Sequence, residues 1–450
     1  VKFPLNRLKG SEMVLSDRRT ILKQTGASLA AVSTLSLLQT KAAGANQKVV
    51  MGAIGCGGQG TNLLTSFASM QGVELAYVCD PDTAHANQAA KEVERISGKA
   101  PKVVQDLRQV LDDKSVDAVT VATPDHWHAP AAILACNSGK HVYVEKPCSH
   151  NIREGRLLVE AAQRNNRIVQ HGTQSRSDGL VQQAIQLLRS GVIGDVLVAK
   201  AWNVQQRKDI GKASPSEPPA GLDYDLWVGP APLVPFQKNR HHYSWHWWYD
   251  FGTGDTGNDG VHELDIARWG LGVETHPSTV SAMGGKLFFD DDQQFPDTQL
   301  VMFDYPGSGQ VGERRQLCFE MRLWSRYGLE EVDNGNAFYG TKGWMLLSKR
   351  GILKIFGADK KPIPISPVRP ESVGHRPNFV DSIRSNAQPN APIEVGHLSS
   401  TLCHLANIAT RVGRTLRFDP NTEQIIGDDE ANRLVRRSYR LDHWAVPVGV

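Results

Sequence analysis

The apolar run Lys48–Ile54, followed at once by Gly55, Gly57 and Gly60 in the spacing G-x-G-x-x-G, constrains this chain more than any other stretch. A short apolar run of this kind reads as a buried parallel strand, and Thr61–Met70 continues with helical spacing. The three glycines then have separate reasons: a tight turn, close approach of backbone to a pyrophosphate, and close packing of helix on strand. The helix start supplies free N–H groups and a partial positive charge for phosphates. Gly58 lies in the same turn. A second apolar run, Val73–Cys79, ends in Asp80, twenty residues after Gly60. A carboxylate there accepts hydrogen bonds from adenosine ribose hydroxyls and repels a 2′-phosphate. No Arg or Lys follows in 81–88, so NAD is favoured over NADP.

The pattern from Lys48 to about Gly172 alternates strand and helix. Strands are expected at Lys102–Val104, Val116–Ala122, His141–Val144 and Arg167–Gln170, with helices at Leu107–Leu111, Ala129–Ser138 and Ile152–Asn165. This is a doubly wound parallel sheet. Beyond Gly172 a helix, Leu180–Ser190, precedes strands at Asp195–Val204, Ser278–Met283, Gln299–Tyr305, Gln316–Leu323, Gly343–Ser348 and Ile352–Phe356. Strands in series without helices between them indicate an open, mostly antiparallel sheet in an α+β second domain. Helices His375–Ser385 and Ser399–Val412 follow. The expected division is an export signal and linker at 1–46, a Rossmann domain at 47–172, a substrate and oligomerisation domain at 173–414, and a wrapping tail at 415–450.

With 450 residues the chain exceeds one ordinary core. A net charge of +3 with both signs well mixed gives no basic block and no argument for nucleic acid. The six cysteines stand singly, without a C-x-x-C pair, so neither a disulfide framework nor a zinc knuckle is indicated. At the front, Ser16-Asp-Arg18-Arg19-Thr-Ile-Leu-Lys23 resembles a twin-arginine export signal, followed by a mildly apolar stretch and the small residues Ala43-Gly-Ala45. The expectation is a periplasmic or exported protein, with no membrane association after signal removal, that loads its nucleotide before crossing.

Four motifs in order carry a wider resemblance: the glycine turn, Ala122-Thr123-Pro124-Asp125-His126-Trp127-His128, Glu145-Lys146-Pro147, and Gly260-Val261-His262. Together they resemble the glucose–fructose oxidoreductase/inositol dehydrogenase/MocA family from about Lys48 to Val412. The resemblance implies oxidation or reduction of a sugar or polyol by NAD(P), with oligomer contacts through the second sheet. It implies that Lys146 faces the nicotinamide, and that Thr123, Pro124, His128 and Glu145 line the cofactor. A partly desolvated lysine beside oxidised nicotinamide suits proton transfer with a hydroxyl. His126 and His128 have the alternative role of capping the next helix.

The family's Asp-x-x-x-His motif is Asn258 and His262 here. On a helix beginning near Gly257, residues 258, 262, 265 and 269 share one face. An amide fixes a hydroxyl or an imidazole but brings no charge, so Lys146 and His262 would share the proton transfer. Asp255 or Asp259 could restore the charge. The loop Arg240–Asp250 interleaves aromatics with histidines, which suits stacking on a pyranose. Tyr243, His246, Asp259 and Arg176 are the substrate candidates. His241, His242 and His246 also admit a metal reading, but no carboxylate spacing supports it.

The preferred function is therefore an NAD-dependent carbohydrate oxidoreductase with a retained cofactor. One alternative is redox-assisted glycoside cleavage recycling a single NAD, and another is a non-catalytic NAD- or sugar-binding protein.

Overall fold

The computed structural model describes residues 48–365 and 374–450. The export signal and leading linker lie outside the described residues.

Two sheets organise the chain. The first holds β1 (Val49–Ile54), β2 (Val73–Cys79), β3 (Lys102–Val104), β4 (Ala118–Val121), β5 (His141–Val144) and β6 (Val169–His171). They run parallel in the order β3-β2-β1-β4-β5-β6. Such a sheet needs both faces covered, and β4 is buried at every position. The strand order reverses direction about β1, which opens a crevice at the carboxyl ends, where Ile54, Cys79 and Val144 lead into the three key motifs.

The second sheet contains β7 (Val196–Asn203), β8 (Thr279–Gly285), β9 (Thr298–Tyr305), β10 (Arg315–Arg322), β11 (Asn334–Gly340), β12 (Gly343–Ser348), β13 (Ile352–Gly357), β14 (Leu416–Asp419) and β15 (Gln424–Ile425). Its order is β13-β12-β11-β7-β10-β9-β8-β14-β15. The pair β7–β10 is parallel and the remaining pairs are antiparallel. Along β9 and β10 the inward residues Val301, Phe303, Leu317, Phe319 and Met321 are buried, against the helices Val261–Leu271 and Ile393–Val412. Emptying a fully buried ring such as Phe319 costs about 3–5 kcal/mol.

Among the elements that depart from the sequence expectation, three are instructive. The helix Thr83–Ser97 was not foreseen, because only Ala86, Ala89 and Val93 make up its narrow buried stripe. It is held at its start by the Asp82 carboxylate, which accepts from the Ala84 N–H at 2.8 Å. The helix expected at 129–138 begins earlier, at Asp125, directly after Pro124. Strand β11 looks like a loop in sequence, yet the side-chain N–H groups of its asparagines find acceptors beside the helix 261–271. Asn336 Nδ2 donates to the Glu263 carbonyl at 2.7 Å, and Asn334 donates to Asp259.

Candidate active site

The glycine turn has little freedom to vary on one side and open space on the other. Gly55 has φ +86°, and a Cβ there would lie 2.6 Å from the Ala122 carbonyl carbon. A Cβ on Gly60 would lie 2.0 Å from the Gly55 carbonyl oxygen. These two glycines hold β1, β4 and the following helix together. Gly57 and Gly58 differ: a Cβ on either meets no protein atom within 4 Å. Both line a cavity of about 630 Å³ at the carboxyl edge of the parallel sheet. The helix Gly58–Ala68 begins there with no side-chain cap, so its first N–H groups are available to an anion.

Asp80 lies at the same edge, 7% exposed. Its carboxylate accepts from the backbone N–H of Cys56 at 2.7 Å and of Asp82 at 2.9 Å. It thus fixes the glycine turn while lining the cavity. Burial raises its pKa, against those two hydrogen bonds. Thr123, Pro124, His128, Glu145 and Lys146 line the cavity as well. The buried Thr123 Oγ1 has no protein partner among the described residues. Glu145 accepts from Gln59 Nε2 at 2.7 Å, which ties the end of β5 to the glycine turn. The histidines do not cap the helix. His128 Nδ1 lies 2.5 Å from the Pro147 carbonyl and its Nε2 lies 2.8 Å from that of Thr123. Burial lowers its pKa to about 4, so the neutral ring donates to one carbonyl at a time. His126 sits 3.0 Å from the Trp227 carbonyl and tethers that loop.

Lys146, just beyond β5, and Asn258, just ahead of the helix 261–271, meet directly. The Lys146–Pro147 peptide is cis. Lys146 Nζ donates to the Asn258 carbonyl at 2.5 Å and to its side-chain Oδ1 at 3.0 Å. Asn258 stands in a π-helical turn, Thr256–Gly260, inserted ahead of the helix 261–271. Such turns recur at functional sites because they redirect side chains and carbonyls. Asn258 Nδ2 donates in turn to Asp255 Oδ1 at 2.9 Å. Asp255 is fully buried, and it also accepts from Asn203 at 2.9 Å and pairs with Arg207 at 2.9 Å. The amide therefore stands between the lysine and a buried carboxylate.

His262 lines the same cavity as Lys146 and Asn258. Its Nδ1 is buried without a protein partner among the described residues. Burial, then the charges of Lys349 and Lys146, push its pKa well below the ordinary imidazole value, so the ring is neutral at neutral pH. The expected helical face divides here. Asn258 and His262 point into the cavity, whereas Asp265 and Trp269 are taken up by Arg176.

Two expected substrate residues are placed elsewhere. Arg176 does not line the cavity. It grips buried Asp265 with Nε at 2.8 Å and Nη2 at 2.9 Å, and its guanidinium lies 4.7 Å over Trp269. Asp259 also faces away, with its carboxylate held by Gln205, Asn334 and Lys349. Burial alone would raise the Asp259 carboxyl, but Lys349, His262 and Lys146 hold it well below the usual range. Asp255, not Asp259, is the carboxylate that reaches Asn258.

Tyr243 and His246 do line the cavity. Tyr243 is 53% exposed, and its hydroxyl accepts from Arg207 at 3.4 Å. His246 stacks on Trp245 at 3.6 Å, with Nδ1 2.5 Å from the Tyr243 carbonyl. The loop histidines separate: His242 turns to Asp82 at 2.9 Å, away from His246. Cavity residues that the sequence reading missed include Gln59, His85, Leu226 and Trp444. Gln59 occupies a variable position of the glycine turn, and the other three are brought to the cavity by the fold from outside the quoted motifs.

A family model described as an oxidoreductase family with an NAD-binding Rossmann fold matches residues 49–173. The model of that family's C-terminal α/β domain matches 181–302 and 363–446. Among curated proteins, a glycosyl hydrolase family 109 protein of Shewanella sp. (strain ANA-3) is 31% identical over 165 residues. That match spans 35% of each chain, about a third of the relative's length. Two solved structures share the fold. Aldose-aldose oxidoreductase from Caulobacter crescentus, complexed with glycerol, has a TM-score of 0.63 at 18% identity over 83% of this chain and 100% of that one. Levoglucosan dehydrogenase, in complex with NADH and levoglucosan, has a TM-score of 0.61 at 17% identity over 82% and 99%. The glycine turn, the open sides of Gly57 and Gly58, and Asp80 fit NAD as the cofactor. With both family domains matched along most of its length, the chain belongs to the glucose–fructose oxidoreductase/inositol dehydrogenase/MocA family of NAD-binding oxidoreductases.

Proposed function

We propose that this protein oxidises or reduces a carbinol carbon of a sugar or polyol, with NAD retained between turnovers. The observation that carries the reading is the Lys146 amine, held by two oxygens of Asn258 in a cavity shared with the glycine turn and the neutral His262. NAD, when bound, supplies the hydride acceptor or donor. In the oxidative direction the substrate carbon gives up a hydride while its hydroxyl gives up a proton. Lys146 and His262, which line the same cavity, are the groups that receive or return that proton. Asn258 positions the lysine, and Asp255 supplies the charge the amide lacks. Tyr243 and His246 form the wall on which a pyranose ring would rest.

The fold relatives named for aldoses and levoglucosan support a carbohydrate substrate. The family 109 relative supports a second reading, in which oxidation, elimination, water addition and re-reduction cleave a glycoside without net change in NAD. One experiment separates the readings. Protein purified without added nucleotide is incubated with aldoses, polyols and aryl glycosides while NADH and aglycone are followed. Formation of NADH with a free sugar supports the oxidoreductase. Aglycone release without NADH supports cleavage. Neither signal from NAD-loaded protein points to a non-catalytic binder.

Export follows from the arginine pair in the leading segment, and a retained cofactor suits a compartment where free NAD is scarce. Homo-oligomerisation is supported by the apolar outer face of the second sheet, where Met283, Leu300 and Met302 stand exposed on adjacent strands. Measuring mass in solution for wild type and Leu300→Lys tests it; a monomeric wild type would refute it.

A further inference from the structure

The end of the cavity remote from Lys146 is walled by a residue far outside the parallel sheet. Trp444 lines it together with Leu107 and Asp80. Asp80 follows β2 and Leu107 lies just beyond β3, on the opposite side of the glycine turn from β5 and Lys146. A dinucleotide with its nicotinamide toward Lys146 and its pyrophosphate on the glycine turn must therefore direct its adenosine toward Trp444.

The tail that carries this indole is fastened along its length. Arg437 donates to Glu154 and to the His126 carbonyl, each at 2.8 Å. The Tyr439 hydroxyl donates to Glu154 at 3.0 Å, the Arg440 N–H to the Pro230 carbonyl at 2.9 Å, and Arg153 to the Gly449 carbonyl at 2.9 Å. Ala445 is 2% exposed in the core of the nucleotide-binding half. The indole itself is held by the Arg108 guanidinium, 4.4 Å over its ring, and by Trp127 at 5.7 Å. A second segment converges on the same end. Asp223 N–H donates to the Pro81 carbonyl at 2.9 Å, Thr83 N–H to that of Gly221 at 3.1 Å, and His242 pairs with Asp82 at 2.9 Å.

We propose that Trp444 is a cofactor-binding residue supplied by the C-terminal tail. It contacts the purine ring of NAD and, with the segment 221–242, closes the adenosine end of the site. The inference rests on NAD binding and not on which carbohydrate reacts. Trp444 is fixed in place by Arg108 and Trp127 before any ligand arrives, so little ordering opposes the contact. Such contacts at the adenosine end would slow release of NAD, in keeping with a retained cofactor.

The test is titration of nucleotide-free full-length protein with NAD, ADP-ribose and nicotinamide mononucleotide, for wild type, Trp444→Phe and Trp444→Ala. By analogy with aromatic contacts to bases, Trp444→Ala should weaken NAD and ADP-ribose by about fivefold to a hundredfold. Nicotinamide mononucleotide, which lacks the purine, should bind unchanged, and Trp444→Phe should recover part of the loss. Unchanged NAD affinity in folded Trp444→Ala, or equal weakening of all three probes, would overturn the proposal. Should the alanine variant not fold, photolabelling of wild type with 8-azidoadenine NAD decides. Label on the peptide carrying Trp444 supports the contact, and label only elsewhere refutes it. Sugar turnover enters none of these readouts, so a failed substrate assignment would leave the result interpretable.

Discussion

The two ends of the cavity are assembled by different means. At the glycine turn the site is mostly backbone, contributed by residues close in sequence, and its shape is enforced by contacts that exclude a Cβ at Gly55 and Gly60. At Lys146 the site is made of side chains brought together across 112 positions, and its geometry depends on a chain of polar contacts running Lys146–Asn258–Asp255–Arg207. A backbone cradle tolerates little substitution but needs few partners. A side-chain site can be retuned at one residue, as the amide at position 258 demonstrates, provided the surrounding charges compensate.

Six substitutions and one titration sharpen this contrast. The largest effect is expected at His262. Replacing it with Gln should lower turnover by about 10²–10⁴-fold while leaving NAD affinity unchanged, read by steady-state kinetics beside nucleotide titration. Asn258→Ala removes the side-chain oxygen that positions Lys146, and a misplaced group of this kind costs up to about a hundredfold in kcat. Asn258→Asp should be distinguishable, since it keeps a side-chain oxygen for Lys146 and should retain more turnover than the alanine variant.

At the other end, Gly60→Ala forces a methyl against the Gly55 carbonyl and should cost about 1–3 kcal/mol in denaturant unfolding. Gly58→Ala meets no protein atom, so stability should hold while NAD affinity falls. Equal stability losses for the two glycines would contradict the division into a packed side and an open side.

Acid should weaken the whole fold. Burial lowers the pKa of His126, His171 and His404 to about 3 and of His128 to about 4. Below their unfolded value of about 6.5 the unfolded chain binds more protons, so stability falls as pH drops toward 4, by about 1.4 kcal/mol per pH unit for each group. Asp125, raised to about 7, and Glu263, raised to about 8, act in the opposite sense because burial keeps them protonated in the fold. Imidazoles lowered by burial, with His141, His241 and His375 added to these four, outnumber the raised carboxyls and leave net destabilisation below pH 6, measurable as a falling urea midpoint. The smallest effect is expected at Tyr243: Tyr243→Phe should change stability by less than about 0.5 kcal/mol and alter KM more than kcat.

The same contrast explains what could be read from the sequence. The parallel sheet was legible because its strands are continuous apolar runs and its glycines sit at fixed spacing. Lys146, Asn258 and His262 were legible through motif resemblance, and the structure brings them into one cavity. The roles of charged residues were not legible. Arg176 sits beside the domain junction in sequence, yet the nearest buried carboxylate, Asp265, takes its guanidinium. Asp259 and Asp255 both lie close to Asn258 in sequence, one just after it and one three positions before, and only the π-helical turn decides that Asp255 meets the amide. Strand β11 was missed because its asparagines look like loop residues until the helix above them supplies their partners. Trp444 offered no signal beyond a basic, aromatic tail.

The central claim is that Lys146 moves a hydroxyl proton and does not merely hold the cofactor. Rapid mixing of NAD-loaded wild type and Lys146→Met with the best substrate, following nicotinamide reduction in one turnover, tests it most directly. The account predicts equal NAD affinity in both proteins and reduction at least about a hundredfold slower in the variant, since proton transfer contributes that much or more. Reduction at the wild-type rate by Lys146→Met would contradict it.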